Sequence, residues 1–387
     1  MDKKSSHKHV ILYVDHSNVL GGAEHSLLLL LSHLDVAEWQ PHLACPAGVL
    51  AEQARQHGIP WHPVTLPRLR RSVHFPKDWL HHARQLVQVA KQIDAAAFYA
   101  NTVRGAIYAA LAAKIGQRPF IWHMRDFWLS ENEPRYHQLD WALKKVLCRA
   151  AAHIITNSAA TARHLPCAKK ITIVHNGIDL VRFQTAQNAA DFRNRFNIPF
   201  DAPLVGMVGR LRPWKGQERF IEMAAAVAAI QPETHFVIVG GSPFAVEDAY
   251  PQKLKQLAQE KKLTHCLHFT DHLADVRPAL AALDIFVHPG EPEPFGLVNI
   301  EAMAAGKPIA AFAHGALPEI VVHEETGLLV PPGNGAALAQ AVITLLHSPE
   351  GRKQYGQAGK QRVQNYFTIQ QTAVKVAAVL QNVLEEK

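Results

Sequence analysis

The sequence predicts an α/β protein built from two doubly wound, Rossmann-like domains. Short runs rich in Val, Ile and Phe alternate with segments of helical period along the whole chain, a pattern typical of βαβ units with parallel sheets. The runs fall into two sets of about six, separated by a polar stretch over 182–203. In a chain of 387 residues that is 48% hydrophobic, each set can bury a core of its own.

The predicted strands fix the order of the elements. We expect strands in the first half at 10–14, 42–45, 96–99, 120–123, 153–156 and 171–174, and in the second half at 204–208, 236–239, 265–269, 285–288, 309–312 and 327–330. We therefore divide the chain into a first domain at 1–180, a second at 181–367, and a final segment at 368–387. Apolar residues of that segment recur every three or four positions, which predicts an amphipathic helix that packs on its own domain or crosses back to the first.

Charge is uneven along the chain. Residues 1–180 contain 21 Lys and Arg against 13 Asp and Glu, a balance of +8, whereas residues 181–387 contain 19 against 20, a balance of −1. A basic half indicates an acidic partner such as a nucleic acid, an anionic lipid surface or a phosphorylated substrate. The densest basic piece contains Arg68, Arg70, Arg71 and Lys77, and an ordinary solvated loop explains it equally well.

Cysteine usage and hydropathy bear on location. Four scattered cysteines with no C-x-x-C pair predict neither a disulfide scaffold nor a zinc ribbon, and they fit a reducing compartment. No stretch approaches the roughly 18 apolar residues of a membrane span. We therefore expect a cytoplasmic protein.

Two glycine-containing loops follow predicted strands and precede helices. Gly21 and Gly22 lie before the first helix, where backbone N–H groups can approach an anion, although paired glycines also serve plain tight turns. The second loop carries Arg210 and Lys215, a bidentate cation and a point charge that could both reach one diphosphate. Neither loop is a G-x-G-x-x-G or Walker fingerprint, so the sequence gives NAD binding and P-loop chemistry no support.

The most specific segment is a proline-rich loop and helix over 288–306. We expect the helix to begin near Phe295 and to end at Gly306, with the amides of Phe295, Gly296 and Leu297 directed at phosphates. Glu293 precedes the helix and Glu301 lies within it. Capping explains an acid at a helix start, but it does not explain Glu301.

Other polar residues at strand ends are weaker candidates. His123 ends a predicted strand and could donate to a sugar hydroxyl or an oxyanion, although a lone histidine is more often structural. The turns at Asn176-Gly177-Ile178-Asp179 and Gly240-Gly241-Ser242 could equally be ordinary turns.

Taken together, Gly21-Gly22-Ala23-Glu24, Gly209-Arg210 with Lys215-Gly216, the Asn-Gly-Ile-Asp turn and Glu293-Pro-Phe-Gly with Glu301 resemble one family. This is the large group of retaining, nucleotide-sugar-dependent glycosyltransferases of family 4 and group 1, which includes many bacterial lipopolysaccharide, exopolysaccharide and mannosyl transferases. The resemblance implies the GT-B fold, in which two Rossmann-like domains face each other across a cleft, and a last helix that crosses back to the first domain.

The resemblance also implies roles for individual residues. Arg210 and Lys215 would grip the donor diphosphate and Glu301 the ribose, with Glu293 beside the donor sugar and the Phe295–Leu297 amides at the phosphates. Gly21 and Gly22 would lie by the phosphate and His123 by the transferred sugar, as a catalytic residue with Glu293. Gly290 departs from the family, in which serine often follows the proline.

The expected reaction requires positive charge beside the leaving group. Cleavage of the bond to the nucleoside diphosphate leaves negative charge on the departing oxygen, which some transferases neutralise with a metal held by a D-x-D pair. This sequence has no D-x-D, only Glu131-Asn132-Glu133 and Glu291-Pro292-Glu293. Fixed cations and helix amides can do the same, so we expect a metal-independent hexosyltransferase without a cofactor.

Alternative functions remain open at this point. A nucleotide-sugar epimerase of GT-B fold would hold the same donor, but it has no use for a basic acceptor half. A nucleic-acid-binding protein would need basic residues interleaved with aromatic ones, and a phosphorylase would need a pyridoxal phosphate lysine; neither is evident. We expect a nucleotide sugar and a glycan or lipid-linked acceptor as partners, no nucleic acid, and peripheral contact with the anionic inner membrane face in cell-envelope polysaccharide synthesis.

Overall fold

The computed structural model describes residues 8–68, 75–127, 137–184, 188–241 and 249–386. The chain forms two compact units, residues 1–177 with 369–387, and residues 178–368. Arg70, Arg71, Glu131, Glu133 and Ser242, which the sequence analysis singled out, lie outside the described residues.

The first unit is a parallel sheet of seven strands, in the order β3-β2-β1-β4-β5-β6-β7 among the described residues. Its strands are β1 (His9–Val14), β2 (Trp39–Cys45), β3 (Trp61–Pro63), β4 (Ala97–Ala100), β5 (Phe120–Met124), β6 (His153–Thr156) and β7 (Ile171–Ile173). Its helices are α1 (Gly22–Leu31), α2 (Val49–Gln56), α3 (Phe75–Gln92), α4 (Val103–Gly116), α5 (His137–Ala150) and α6 (Ala159–Ala162). The edge strand β3 was not predicted.

The second unit is a parallel sheet of six strands, in the order β10-β9-β8-β11-β12-β13 among the described residues. Its strands are β8 (Leu204–Val208), β9 (His235–Val239), β10 (Leu267–Phe269), β11 (Ile285–His288), β12 (Ile309–Phe312) and β13 (Gly327–Val330). Its helices are α7 (Val181–Gln184), α8 (Ala189–Arg195), α9 (Gln217–Ala228), α10 (Tyr250–Glu260), α11 (Arg277–Ala282), α12 (Leu297–Ala304), α13 (Leu317–Ile320), α14 (Gly335–His347) and α15 (Pro349–Tyr366).

Each sheet is covered on both faces, because the central strands alternate between two hydrophobic clusters. In β1, Leu12 and Val14 point into one cluster, whereas Ile11 and Tyr13 point into the other. The second sheet is buried in the same way between two clusters. Strands buried on both faces read as continuous apolar runs, which is why the sequence located them.

The last helix, α16 (Ile369–Glu385), belongs to the first unit. Its stripe of Ile369, Ala373, Val376 and Leu380 lies in the cluster that also contains residues of α1 and β1. The Thr372 hydroxyl donates to the His175 carbonyl at 2.9 Å. The helix therefore buries its apolar face on a unit whose other elements precede it by almost 200 positions.

Two further findings concern the cysteines and the membrane. The sequence predicted no disulfide scaffold, yet one disulfide is present: Cys148 at the end of α5 is bonded to Cys167, with their Cα atoms 5.9 Å apart, while Cys45 and Cys266 are free and buried. The loop that brings the pair together spans 19 positions and carries no sequence signal. Within the described ranges, no helix is both long and apolar enough to cross a bilayer.

Candidate active site

Both sheets reverse their strand order beside their first strand, between β1 and β4 and between β8 and β11. Ligands of open α/β sheets bind outside the carboxyl ends of the strands at such a switch point. In the second unit, Arg210 and Lys215 follow β8 and Glu293 follows β11, the two strands that flank this point. In the first unit, the Gly21–Gly22 turn follows β1, whereas His123 lies within β5. The second unit holds the larger group of candidate donor-binding residues.

The loops after β8 and β11 are joined to each other in the second unit. The Lys215 ammonium forms an ion pair with the Glu293 carboxylate, and it also lies 4.4 Å from the centre of the Trp214 ring. The Glu291 amide donates to the Trp214 carbonyl at 2.8 Å, and Arg219 pairs with Glu291. The structure thus brings together two predicted site residues that are 78 positions apart.

Glycines allow this close approach of the two loops. Gly216 has a φ of +78°, and a Cβ atom there would lie 2.3 Å from the Pro289 carbonyl oxygen. A Cβ atom at Gly290 would lie 3.2 Å from the carbonyl oxygens of both Trp214 and Lys215. The family's serine at position 290 would therefore press on the loop that carries Lys215, which gives the departure a packing reason.

Glu293 is buried, with 7% of its side chain exposed, and it is held as a carboxylate. Burial acts to raise its pKa, but Lys215, His288 and Arg210 outweigh that effect and lower the pKa below its ordinary value. Arg210 itself is exposed, and its carbonyl accepts a hydrogen bond from the Gln217 side chain. The Glu293 carboxylate can therefore present a negative charge beside the cations Lys215 and Arg210.

Helix α12 starts later than predicted. It begins at Leu297, and Gly296 precedes it as an N-cap in the left-handed region, with a φ of +86°. Phe295 lies outside the helix with its side chain buried against Phe367, at a ring distance of 6.1 Å. The prediction of a start near Phe295 was therefore wrong by two residues, because a left-handed glycine sets the entry to the helix.

Glu301 lies on α12, as predicted, and its side chain accepts no hydrogen bond from the described residues. Burial raises its pKa to about 7, with Asp275 adding to the rise and Arg182 opposing it. Asp275 is itself paired with Arg277, with an Oδ2–Nη2 distance of 2.6 Å. A carboxyl group that is half-buried and without a partner is suited to accept hydrogen bonds from ligand hydroxyls.

The first unit has a buried polar network at its own switch point. Asp15 after β1 accepts a hydrogen bond from the Asn101 amide after β4 at 2.8 Å, and the Arg125 Nε donates to Asn101 at 2.6 Å. The Arg125 Nη1 donates to Asn176 at 2.5 Å, while its Nη2 has no partner among the described residues. Of these residues the sequence pointed only to Asn176, in its Asn-Gly-Ile-Asp turn, and it did not indicate that they form one network.

The Gly21–Gly22 turn opens α1 beside this network. The Gly21 amide donates to Glu24 Oε2 at 2.8 Å, and a Cβ atom at Gly21 would lie 2.8 Å from the same oxygen. Burial raises the pKa of Asp15 to about 7, and the neighbouring Glu24 carboxylate adds to that rise. One of the amides expected to bind an anion is thus already occupied by a side chain of this chain.

His123 is completely buried in β5. Its Nδ1 lies 2.5 Å from the Tyr99 hydroxyl, whereas its Nε2 has no partner within the described ranges. Burial, with a contribution from Arg125, holds its pKa well below the ordinary value. The ring is therefore neutral and has one nitrogen available for a further hydrogen bond.

Sequence comparisons match the two units to two families of transferases. Residues 20–182 match the model described as Glycosyltransferase Family 4, and residues 188–362 match the model described as Glycosyl transferases group 1. The lipopolysaccharide core biosynthesis mannosyltransferase LpsB of Rhizobium meliloti is 29% identical over 62% of this chain and 68% of its own length. A D-inositol 3-phosphate glycosyltransferase of Corynebacterium efficiens is 32% identical over 54% of this chain, and the match spans half of that relative, 50%.

Structural comparison agrees over nearly the whole chain. The crystal structure of Anabaena HepE in complex with UDP and glucose has a TM-score of 0.83 and 26% identity, covering 97% of this chain and 100% of that one. The matched families and the relatives named here are glycosyltransferases, so they give the epimerase alternative no support. The protein belongs to the group 1 and family 4 glycosyltransferases, and it has their GT-B fold of two Rossmann-like units.

Proposed function

We propose that this protein transfers a sugar, with retention of configuration, from a nucleoside diphosphate sugar to a glycan or lipid-linked acceptor of the cell envelope. The observation that carries the proposal is the Lys215–Glu293 contact at the switch point of the second sheet. A buried carboxylate beside cations matches a reaction that makes the sugar positive and the leaving group negative. HepE, whose structure contains UDP and glucose, and LpsB, named a mannosyltransferase, support the substrate class.

The diphosphate end of the donor is assigned to Arg210, Lys215 and the amino end of α12. Preorganised donors of this kind are typically worth about 3–4 kcal/mol each in transition-state stabilisation. The Glu301 carboxylate accepts hydrogen bonds from the ribose hydroxyls. Arg210, Lys215 and the amides of α12 supply the positive charge that a divalent ion supplies in other transferases, so we expect activity to persist in the presence of a chelator.

Glu293 is assigned to the reacting sugar. Its pKa is lowered, so it is a carboxylate that can act on the anomeric carbon in one of two ways. It bonds to that carbon as the bond to the diphosphate breaks and is then displaced by the acceptor hydroxyl, or it stabilises the positive charge while the acceptor hydroxyl attacks from the face that the diphosphate leaves. His123 and the Gly21–Gly22 turn are assigned to the same donor by the family resemblance. The domains at 1–180 and 181–367 serve the acceptor and the nucleotide sugar, respectively, and 368–387 completes the first.

Glu293→Gln tests the assignment of Glu293. We expect kcat to fall by about 100-fold while the donor KM changes less than about threefold, because the lost charge acts chiefly in the transition state. Arg210→Ala should impair both quantities, since it removes a contact to the diphosphate that forms on binding and strengthens as negative charge develops on the leaving group. Glu233→Gln, at an exposed position, is the matched control. Near-native turnover in Glu293→Gln would show that the assigned role is wrong.

Contact of the first unit with an anionic membrane is a further part of the proposal. The +8 balance over residues 1–180 motivates it, and α5 exposes Leu139 and Val146, each to 60%, on a helix that also carries Lys145 and Arg149. We expect the protein to float with vesicles that contain phosphatidylglycerol and not with neutral ones at low salt. Equal behaviour with both vesicles would reject the membrane contact and leave the transferase assignment standing.

A further inference from the structure

His288, the last residue of β11, lies behind the Glu293 carboxylate. Its side chain is 5% exposed, and its Nε2 is 3.7 Å from Glu293 Oε1. That nitrogen has no hydrogen-bond partner among the described residues. Burial lowers the pKa of His288 to about 4, with Lys215 and His314 adding to the effect and Glu293 opposing it, so the ring is neutral. A neutral imidazole carries one proton, and its chemistry here depends on which nitrogen holds that proton.

Asn299 decides the position of the proton. Its Nδ2 lies 3.0 Å from the Gly296 carbonyl oxygen and 3.3 Å from His288 Nδ1. The amide cannot be turned over, because its oxygen would then face the Gly296 carbonyl oxygen. Nδ2 is therefore the donor to both partners, and His288 Nδ1 is an acceptor. The proton of the ring must lie on Nε2, on the side of Glu293.

The packing around this set of side chains is tight enough to hold it in place. Asn299 is fully buried in the first turn of α12. A Cβ atom at Gly296 would lie 2.6 Å from Asn299 Nδ2 and 3.3 Å from Glu293 Oε2. Only a glycine leaves room for both side chains, and its left-handed φ turns the chain between them.

Under the proposed function, Lys215 has two binding partners: the Glu293 carboxylate and the donor diphosphate. In the structure it pairs with Glu293, yet the donor diphosphate needs the same ammonium group. A buried carboxylate that loses its counter-charge becomes costly unless another donor replaces it. The His288 Nε2–H group is placed to become that donor, because a shift below 1 Å brings Nε2 within hydrogen-bond distance of Glu293 Oε1.

We propose that His288 is a positioning residue for Glu293: Asn299 fixes its tautomer, and its Nε2–H takes over Glu293 Oε1 when Lys215 turns to the diphosphate. This inference rests on the proposed function for its kinetic consequence. The tautomer itself is a property of the protein without substrate.

The kinetic test compares two amide replacements of the same residue. His288→Gln places an N–H donor near the position of Nε2, whereas the shorter His288→Asn reaches only the position of Nδ1. We expect His288→Asn to lower kcat by about tenfold or more, with donor KM changed less than threefold, and His288→Gln to stay within about threefold of the native protein. Equal loss in both variants, or no loss in either, would overturn the proposal.

The spectroscopic test needs no substrate. Nitrogen-15 NMR of the full chain labelled in histidine reports the tautomer of His288, whose signals are assigned by their disappearance in His288→Gln. We expect protonation at Nε2 in the native protein and a mixture of tautomers in Asn299→Leu. Protonation at Nδ1 in the native protein would overturn the inference even if sugar transfer is observed. Failure to transfer sugar from any donor would instead reject the proposed function, while the NMR result still decides the tautomer.

Discussion

Replacing Glu301 with glutamine should stabilise the protein above neutral pH and weaken its binding of the nucleotide. The reason is that Glu301 sits half-buried without a hydrogen-bond donor from the described residues, and burial raises its pKa to about 7 from an ordinary value of 4.5. The native state therefore binds this proton more tightly than the unfolded state. The glutamine amide has the same shape and never ionises.

The magnitude follows from proton linkage. A group whose pKa is raised by folding contributes stability that is fully present below pH 4.5 and is lost as the pH rises through about 7. At about 1.4 kcal/mol for each pH unit, the ionised carboxylate costs about 3 kcal/mol at pH 8. For a unit of this size, that corresponds to a rise of about 5–10 °C in the unfolding midpoint of Glu301→Gln at pH 8, and to little difference at pH 4.5.

Nucleotide binding should favour the native protein over Glu301→Gln. Ribose hydroxyls that donate to the carboxylate favour its ionised form, so binding of the nucleotide releases a proton and becomes tighter as the pH rises towards 7. Glu301→Gln should lose this pH dependence and about tenfold or more in affinity.

Thermal unfolding and calorimetric titration between pH 5 and 8 measure both effects. Glu222→Gln, at an exposed position of α9, is the control. If Glu301→Gln is no more stable than the native protein at pH 8, the carboxyl group is not destabilised by burial and the reasoning fails.

The remaining predictions concern the loops and the buried network. Gly216→Ala should lower the unfolding midpoint and kcat together, because its Cβ atom would lie 2.3 Å from the Pro289 carbonyl oxygen. The control is Gly333→Ala, which has a similar φ of +75° but no atom within 4 Å, and it should lower the free energy of unfolding by only about 1 kcal/mol. Equal effects of the two variants in calorimetry would contradict a steric clash at position 216. Arg125→Met should destabilise the first unit by about 2–4 kcal/mol, since the buried side-chain oxygens of Asn101 and Asn176 lose their donor. Arg163→Met, at an exposed position, should leave the free energy of unfolding unchanged. If chemical denaturation gives the same free energy for both variants, the network does not stabilise the unit.

The sequence located the strands well for a physical reason. Strands buried on both faces, such as β8 and β12, are apolar throughout and stand out from their surroundings. The edge strand β3 reads Trp-His-Pro and pairs on one side only, with Leu43 opposite Trp61, so it lacks that signal. Propensity alone does not define so short an element.

The site was harder to predict wherever it depends on contacts between distant loops. Glu293 and Glu301 lie in one segment, so their spacing can be read from the sequence. The ion pair of Glu293 with Lys215 depends instead on the strand order of the second sheet, in which β8 and β11 are neighbours. The contact of His288 with Asn299 joins residues 11 positions apart across a left-handed turn. A signal was present, since a histidine ends β11 and an asparagine stands three residues after Gly296, but only the fold gives it meaning.

The proposed function depends on binding of the donor diphosphate by Arg210, Lys215 and the amides of α12 without a metal. Its most direct test is calorimetric titration of UDP-, GDP- and ADP-linked sugars into the protein in the presence of EDTA. We predict saturable binding of one nucleotide class, weakened about tenfold or more in Lys215→Met and unchanged in the exposed Lys255→Met. Binding that requires a divalent ion, or that is unchanged by the loss of Lys215, would show that these cations do not hold the diphosphate.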